Sequence, residues 1–233
     1  MSDLKFSFSL EKLIHAIAYF ASRNIHDLTK LKAAKLLYFA DKDHLLNFGR
    51  PIIGDVYFCL PYGPVPSLSL NEMNDAINTS SLEEGDDIHA DTICFASVLK
   101  VHKPIPLLGG HPVFRAKNGF DADVFSKSEI ASLEKAVKQY GSKTAPELID
   151  LTHKEVAWMI PNEGRRPNGR APIPYHLFFH GADEEALEML AFVREEQKEQ
   201  RDLDCLIQDI TGSEALEEDA NSGAGRAVLH GQV

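Results

Sequence analysis

The chain is poor in cysteine: Cys59, Cys94 and Cys205 are the only three in 233 residues, far apart and odd in number. No C-x-x-C pair occurs, so neither a zinc ribbon nor a disulfide framework is supported, and a reduced, cytoplasmic setting is expected. No apolar run approaches the roughly 20 residues that a membrane helix needs, which argues against a membrane protein. Met1-Ser2-Asp3-Leu4-Lys5 lacks a basic run followed by an apolar stretch and a small-residue cleavage site, so no signal peptide is expected. G-x-x-x-x-G-K-[ST], G-x-G-x-x-G, H-E-x-x-H and G-x-S-x-G are all absent. Phosphate-loop, dinucleotide, zinc-protease and serine-hydrolase chemistries therefore have no sequence support.

What is present is an ordinary globular composition, 44% apolar and 25% charged, enough for a core of normal size. The net charge is −11, and it is unevenly spread. Residues 183–233 hold 14 Asp and Glu against 4 Lys and Arg, while residues 1–182 are close to neutral with 21 against 20. The acidity belongs to the C-terminal segment, where it suits a basic protein surface and disfavours nucleic acid.

Periodicity predicts a first helix over about 9–22, from Leu10, Leu13, Ile14, Ile17 and Phe20. A second runs from an N-cap at Asp27 to a stop at Gly49 before Pro51. Ile52, Ile53, Val56, Tyr57 and Phe58 suit a short strand, and Pro66-Ser67 opens a helix to about Ile77. Residues 80–91 read as a polar loop. Thr92–Leu99 and Val113–Ala116 read as an antiparallel pair joined by the Pro/Gly-rich stretch 103–112. Ser126-x-x-Glu129 and Thr144-x-x-Glu147 are capping boxes that open two more helices. Residues 161–174 read as one long loop, and Asp183 starts the last helix. The expected fold is therefore α+β: a mostly helical single domain over 1–182 with a small antiparallel sheet, a long acidic C-terminal helix over 183–211, and a disordered acidic tail over 212–233.

With Lys35 and Lys42 taken as the solvent side of the second helix, Ala33, Leu37, Ala40, His44 and Phe48 face inward and Asp41 and Leu45 flank them. Asp41 and His44 thus stand three apart on an apolar face, where each must be hydrogen-bonded. Three readings are open: a structural pair tying the helix to the Pro/Gly-rich segment, a partner- or ligand-reading site, and a metal or acid–base site completed by His153.

Lys35-Leu36-Leu37-Tyr38-Phe39-Ala40-Asp41 leads into His44, then Gly49-Arg50-Pro51-Ile52, Gly54-Asp55 and Tyr62-Gly63-Pro64-Val65-Pro66. This succession resembles the Panacea domain, the family of SocA-like antitoxins and phage-associated proteins. Leu151-Thr152-His153 and Trp158 resemble its later Thr-His…Trp element, with Ala157 standing where the family is expected to carry proline. The resemblance covers about 10–190. It implies an antitoxin that binds a cognate toxin and silences it, in some members as an adaptor delivering the toxin to a protease. Asp41, His44, Arg50, Asp55, Tyr62, His153 and Trp158 form the expected polar centre, partner-reading or structural, with no catalysis, cofactor or metal. Gly63, Pro64, Val65 and Pro66 form a rigid turn, since Gly accepts positive φ and Pro fixes it.

Candidate toxin contacts are Arg165, Arg166 and Arg170 in the long loop, and Leu203, Leu206, Ile207 and Ile210 in the last helix. Self-docking of that helix, or pairing between two copies, are the alternatives. Cys59 reads as a buried thiol rather than a nucleophile, and His89, His102, His111, His176 and His180 as loop or element-end residues. Two other functional classes remain to be weighed: a phage- or mobile-element-associated regulator that binds nucleic acid, and a metal-dependent enzyme using Asp41, His44 and His153.

Overall fold

The computed structural model describes residues 4–80, 89–102 and 110–222, with side chains as far as residue 208. The chain forms two compact units, Met1–Leu190 and Ala191–Val233.

Helix α1 (Leu10–Ser22) starts at Ser9, whose hydroxyl accepts the Lys12 N–H at 3.3 Å. Helix α2 (Lys30–Phe48) is capped by Thr29 rather than by the expected Asp27, and ends on Gly49 at φ 73°. Asp27 instead accepts from the buried Lys32 ammonium at 2.5 Å. Strands β1 (Tyr57–Leu60) and β2 (Gly63–Pro66) form an antiparallel hairpin turned by Pro61 and Tyr62. Gly63–Pro66, expected as a rigid turn, is thus a strand. The expected strand is shifted too: it begins at Tyr57, with Ile52 and Ile53 outside it. Helices α3 (Ser67–Thr79) and α4 (Ala90–Val98) follow. The expected 92–99 strand is therefore a helix, because Thr92 and Phe95, three apart, are the residues turned into the core. Strands β3 (Leu99–His102) and β4 (Val113–Ala116) pair antiparallel. Residues 81–88 of the expected 80–91 loop and 103–109 of the 103–112 connection lie outside the described residues.

Helices α5 (Lys127–Tyr140) and α6 (Ala145–His153) begin at the two expected capping boxes. In the second, the Glu147 carboxylate accepts both the N–H and the hydroxyl of Thr144 at 2.7 Å. Two short elements cut into the expected 161–174 loop, whose other residues are turn or irregular: α7 (Val156–Glu163) runs through Pro161, and β5 (Ala171–Pro172) adds to the free edge of β1. A 3-10 turn (Tyr175–Phe179) precedes α8 (Glu184–Ser222), which continues through Thr211-Gly212 where the sequence predicted a stop. Residues 223–233, the end of the expected tail, lie outside the described residues.

The protein is mostly helical, with eight α-helices among the described residues, one three-stranded sheet of order β2-β1-β5 and one two-stranded sheet. No helix among the described residues is long and apolar enough to cross a membrane.

Helix α2 lies at the centre. It contacts α1, α3, α5, α6, β2 and the 3-10 turn, and Lys32–Asp41 is buried without interruption. Over 32–41 the helix is wrapped on every side and has no solvent face, so the assumed solvent direction is wrong: Lys35 is 1% exposed, whereas Phe48, assigned inward, is 49% exposed.

Candidate functional site

Lys32, Lys35, Asp41 and His44 of α2 are buried, so each must find its partners inside. Asp41 is fully buried. Its Oδ1 accepts the N–H groups of Ile52 and Ile53, both at 2.9 Å, and its Oδ2 accepts the Tyr57 hydroxyl at 2.9 Å. Burial pushes this carboxyl up to about 7, against the pull of the three donors. His44, nearly one turn on, stands with Nδ1 2.7 Å from the Arg50 carbonyl and Nε2 3.1 Å from the Ser128 hydroxyl. A neutral ring satisfies both, Nδ1–H donating and Nε2 accepting, and burial holds its pKa below the ordinary histidine value. Asp41 and His44 thus both grip the segment that follows the Gly49 stop.

Arg50 donates to Oε1 of the buried Glu129 at 2.9 Å, where the Lys12 ammonium also donates at 2.7 Å. The Ser126 N–H takes the other oxygen at 2.8 Å. Burial alone would raise this carboxyl, and these donors outweigh it and hold the pKa below the usual glutamate value. Asp55 accepts the N–H groups of Leu68 and Ser69 at 2.9 and 2.7 Å and the Ser69 hydroxyl at 2.6 Å, which caps α3 from a distant part of the chain. The backbone oxygen of Asp55 accepts the Tyr175 hydroxyl at 2.6 Å. Tyr62, expected in the same centre, is not part of it. It is 65% exposed at the tip of the β1–β2 hairpin, beside a groove of about 710 Å³ that Leu31, Ile77, Pro112, Pro146 and Ile149 also line.

A second polar cluster forms under the hairpin, at the Lys35 end of α2. Lys35 Nζ donates to the Pro64 carbonyl at 2.9 Å, and burial lowers this amine to about 7. Gly63 has φ 98°, and a Cβ there would stand 2.4 Å from Lys35 Nζ and 2.5 Å from Thr152 Oγ1. The Thr152 hydroxyl bonds the Leu148 and Ile149 carbonyls at 3.0 Å. The His153 ring stacks on Trp158 at 3.9 Å between centroids, tilted by 15°. Its Nε2 is buried with no hydrogen-bond partner among the described residues, and burial, then Lys35, lowers its pKa. Trp158 donates Nε1–H to the Leu60 carbonyl at 3.0 Å. Ala157 is buried in the first turn of α7, where backbone N–H groups lack intrahelical partners, so the position suits alanine or proline.

His153 is thus placed with Lys35 and the hairpin, not with His44, which lies nine residues and about 13 Å further along α2. Among the described residues no group of three or more His, Cys, Asp or Glu is arranged to hold a metal. Cys59 is buried, with Sγ 3.6 Å from the Trp158 carbonyl, and burial raises its pKa, which disfavours the thiolate.

Of the three loop arginines, Arg165 is engaged within the protein, bonding Asn162 Oδ1 of α7 at 3.1 Å and the Pro167 carbonyl at 3.0 Å. Arg170 lies over the Phe58 ring at 4.4 Å, and Arg166 is exposed. On α8, Leu203, Leu206 and Ile207 are 49%, 56% and 49% exposed, and the Ile210 side chain lies outside the described residues.

Sequence reasoning missed Lys35, Thr152, Ser128, Glu129 and Tyr175 as members of these clusters. A signal for Lys35 was available: the run Ala33-Ala34-Lys35-Leu36-Leu37-Tyr38-Phe39-Ala40 is apolar on every side of the helix, leaving that lysine no polar flank.

No curated protein and no solved structure matches the chain. One family model does, over residues 34–159, a span that holds most of α2, the hairpin, Asp41, His44, Asp55, Lys35, His153 and Trp158. That match is narrower at both ends than the expected 10–190, yet it takes in more than half of the chain, and the protein belongs to the family described as Antitoxin SocA-like, Panacea domain.

Proposed function

We propose that this protein is the antitoxin of a toxin–antitoxin pair, which silences a cognate toxin in the cytoplasm by direct protein–protein binding and without catalysis. The observation that carries the reading is the family match over 34–159. The geometry is consistent with it. Asp41, Asp55 and Glu129 accept from backbone or from buried partners, and His44 bridges a carbonyl and a hydroxyl. These groups serve as struts, which leaves recognition to surface features such as Tyr62, Arg166, Arg170 and the exposed side of α8.

The test is to express the neighbouring open reading frame from an inducible promoter with and without this protein. The expected result is growth arrest alone and restored growth together. A neighbour that is harmless by itself overturns the reading for this locus. An adaptor form of the same function predicts a shortened toxin half-life when the antitoxin is present, abolished in a strain lacking the protease.

A further inference from the structure

Helix α8 sorts its side chains by kind as well as by polarity. At about 100° per residue with Leu203 as zero, Phe192 falls at about −20°, Glu196 at +20°, Glu199 at −40° and Leu206 at −60°. These five residues share one narrow face, all are exposed, and Phe192 at 63% is among the most exposed large apolar side chains of the described residues. The cations Arg194, Lys198 and Arg201 all fall between about 140° and 180° away, on the opposite side. Along its axis the face therefore reads apolar at Phe192, acidic at Glu196 and Glu199, and apolar again at Leu203 and Leu206.

Charge selects among the occupants such a face can take. A second copy would bring Glu196 and Glu199 against their own counterparts, and a nucleic acid or an anionic lipid surface would meet the same repulsion. An apolar surface with cations set into it is complemented by every member of the face.

On the antitoxin reading, we infer that this face is what the toxin receives, in a groove with two apolar pockets about 16 Å apart and a Lys- or Arg-lined stretch between them. The spacing is that of Phe192 and Leu203, three helical turns apart.

The experiment measures binding of the purified full-length protein to the purified product of the toxic neighbouring reading frame. Leu203→Asp with Leu206→Asp is expected to weaken binding by about 100-fold or more, because it places charge in an apolar pocket. Glu196→Lys with Glu199→Lys is expected to weaken it by about 10-fold at low salt, with the loss shrinking at high salt. Arg201→Glu, on the opposite face, is expected to stay within about twofold. All are surface positions, and unchanged melting temperatures confirm that the variants fold. If the wild type binds and the Leu203/Leu206 variant binds equally well, the inference is overturned while the antitoxin reading stands. If the wild type does not bind a neighbour that is toxic, both fall. A dimer of this protein that the Leu203/Leu206 variant disperses assigns the face to a second copy and overturns the inference.

Discussion

Tyr57 donates its hydroxyl to Oδ2 of Asp41 at 2.9 Å, while Oδ1 of the same carboxylate holds the N–H groups of Ile52 and Ile53. One side chain of α2 thereby fixes both the segment after the helix stop and the first residue of β1. Tyr57→Phe removes a single donor and leaves a buried oxygen without it, so unfolding by urea should become easier by about 1–2 kcal/mol with no change in fold. A variant as stable as the wild type would show that water or a shifted backbone group takes over the donor's place.

Asp41 also gives the stability a pH dependence of defined sign. Its folded value of about 7 lies above the ordinary 3.8. The protonated form is therefore favoured by folding: its contribution is full below about pH 3.8 and is lost as pH rises toward about 7. Asp41→Asn lacks this proton. The stability advantage of the wild type over Asp41→Asn should shrink between pH 4 and 7, measured as the difference in urea midpoints. An advantage that widens over this range means that the three donors keep the carboxyl ionised and prevail over burial.

Lys35 works in the opposite sense on the alkaline side. Its amine falls from 10.5 to about 7 on folding, so the neutral form is favoured and its contribution is present above about pH 10.5 and lost as pH falls toward 7. Lys35→Met keeps the length of the stem and removes the titration. The wild type should gain on Lys35→Met from pH 7 to pH 9, and a difference independent of pH would show that Lys35 stays charged in the fold.

These groups mark where the sequence could be read and where it could not. Ser9, Gly49, Ser126 and Thr144 were legible as helix limits because capping is decided within four residues of chain. Asp41 and His44 were legible as groups in need of partners because an apolar run surrounds them. Lys35 was misassigned to solvent because its enclosure depends on Pro64 and Thr152, which the fold brings in from far along the chain. Strand β5 has two residues, too few for any period, and exists only because the edge of β1 is available to it. The β-branched and aromatic content of 92–99 suits a strand, but the requirement to bury Thr92 and Phe95 together prevails.

Gly63 offers a test of how tightly the hairpin sits on Lys35. Gly63→Ala asks an L-residue to adopt φ 98° and puts a methyl group 2.4 Å from Lys35 Nζ and 2.5 Å from Thr152 Oγ1. The backbone term alone is about 1–3 kcal/mol. The expected outcome is a melting temperature lowered by several degrees, with Lys35→Met recovering part but not all of it, because the Thr152 contact and the dihedral cost remain. Full recovery would place the whole cost on the lysine.

Trp158 is the single tryptophan, and its ring is stacked face to face with His153. A protonated imidazole in that position is a good electron acceptor and quenches indole emission, so fluorescence reports the charge of His153 directly. Burial, then Lys35, lowers the pKa of this ring below the ordinary 6.5. Emission should therefore fall as pH drops, with a midpoint under 6.5, and the step should vanish in His153→Ala while the folded far-ultraviolet signal persists. Lys35→Met removes one of the two causes of the shift, so its midpoint should move up toward 6.5. A midpoint that stays where it was would mean that desolvation by the hairpin and Trp158 sets the histidine without the lysine. The titration needs no toxin, so it examines the cluster under the hairpin independently of what the protein binds.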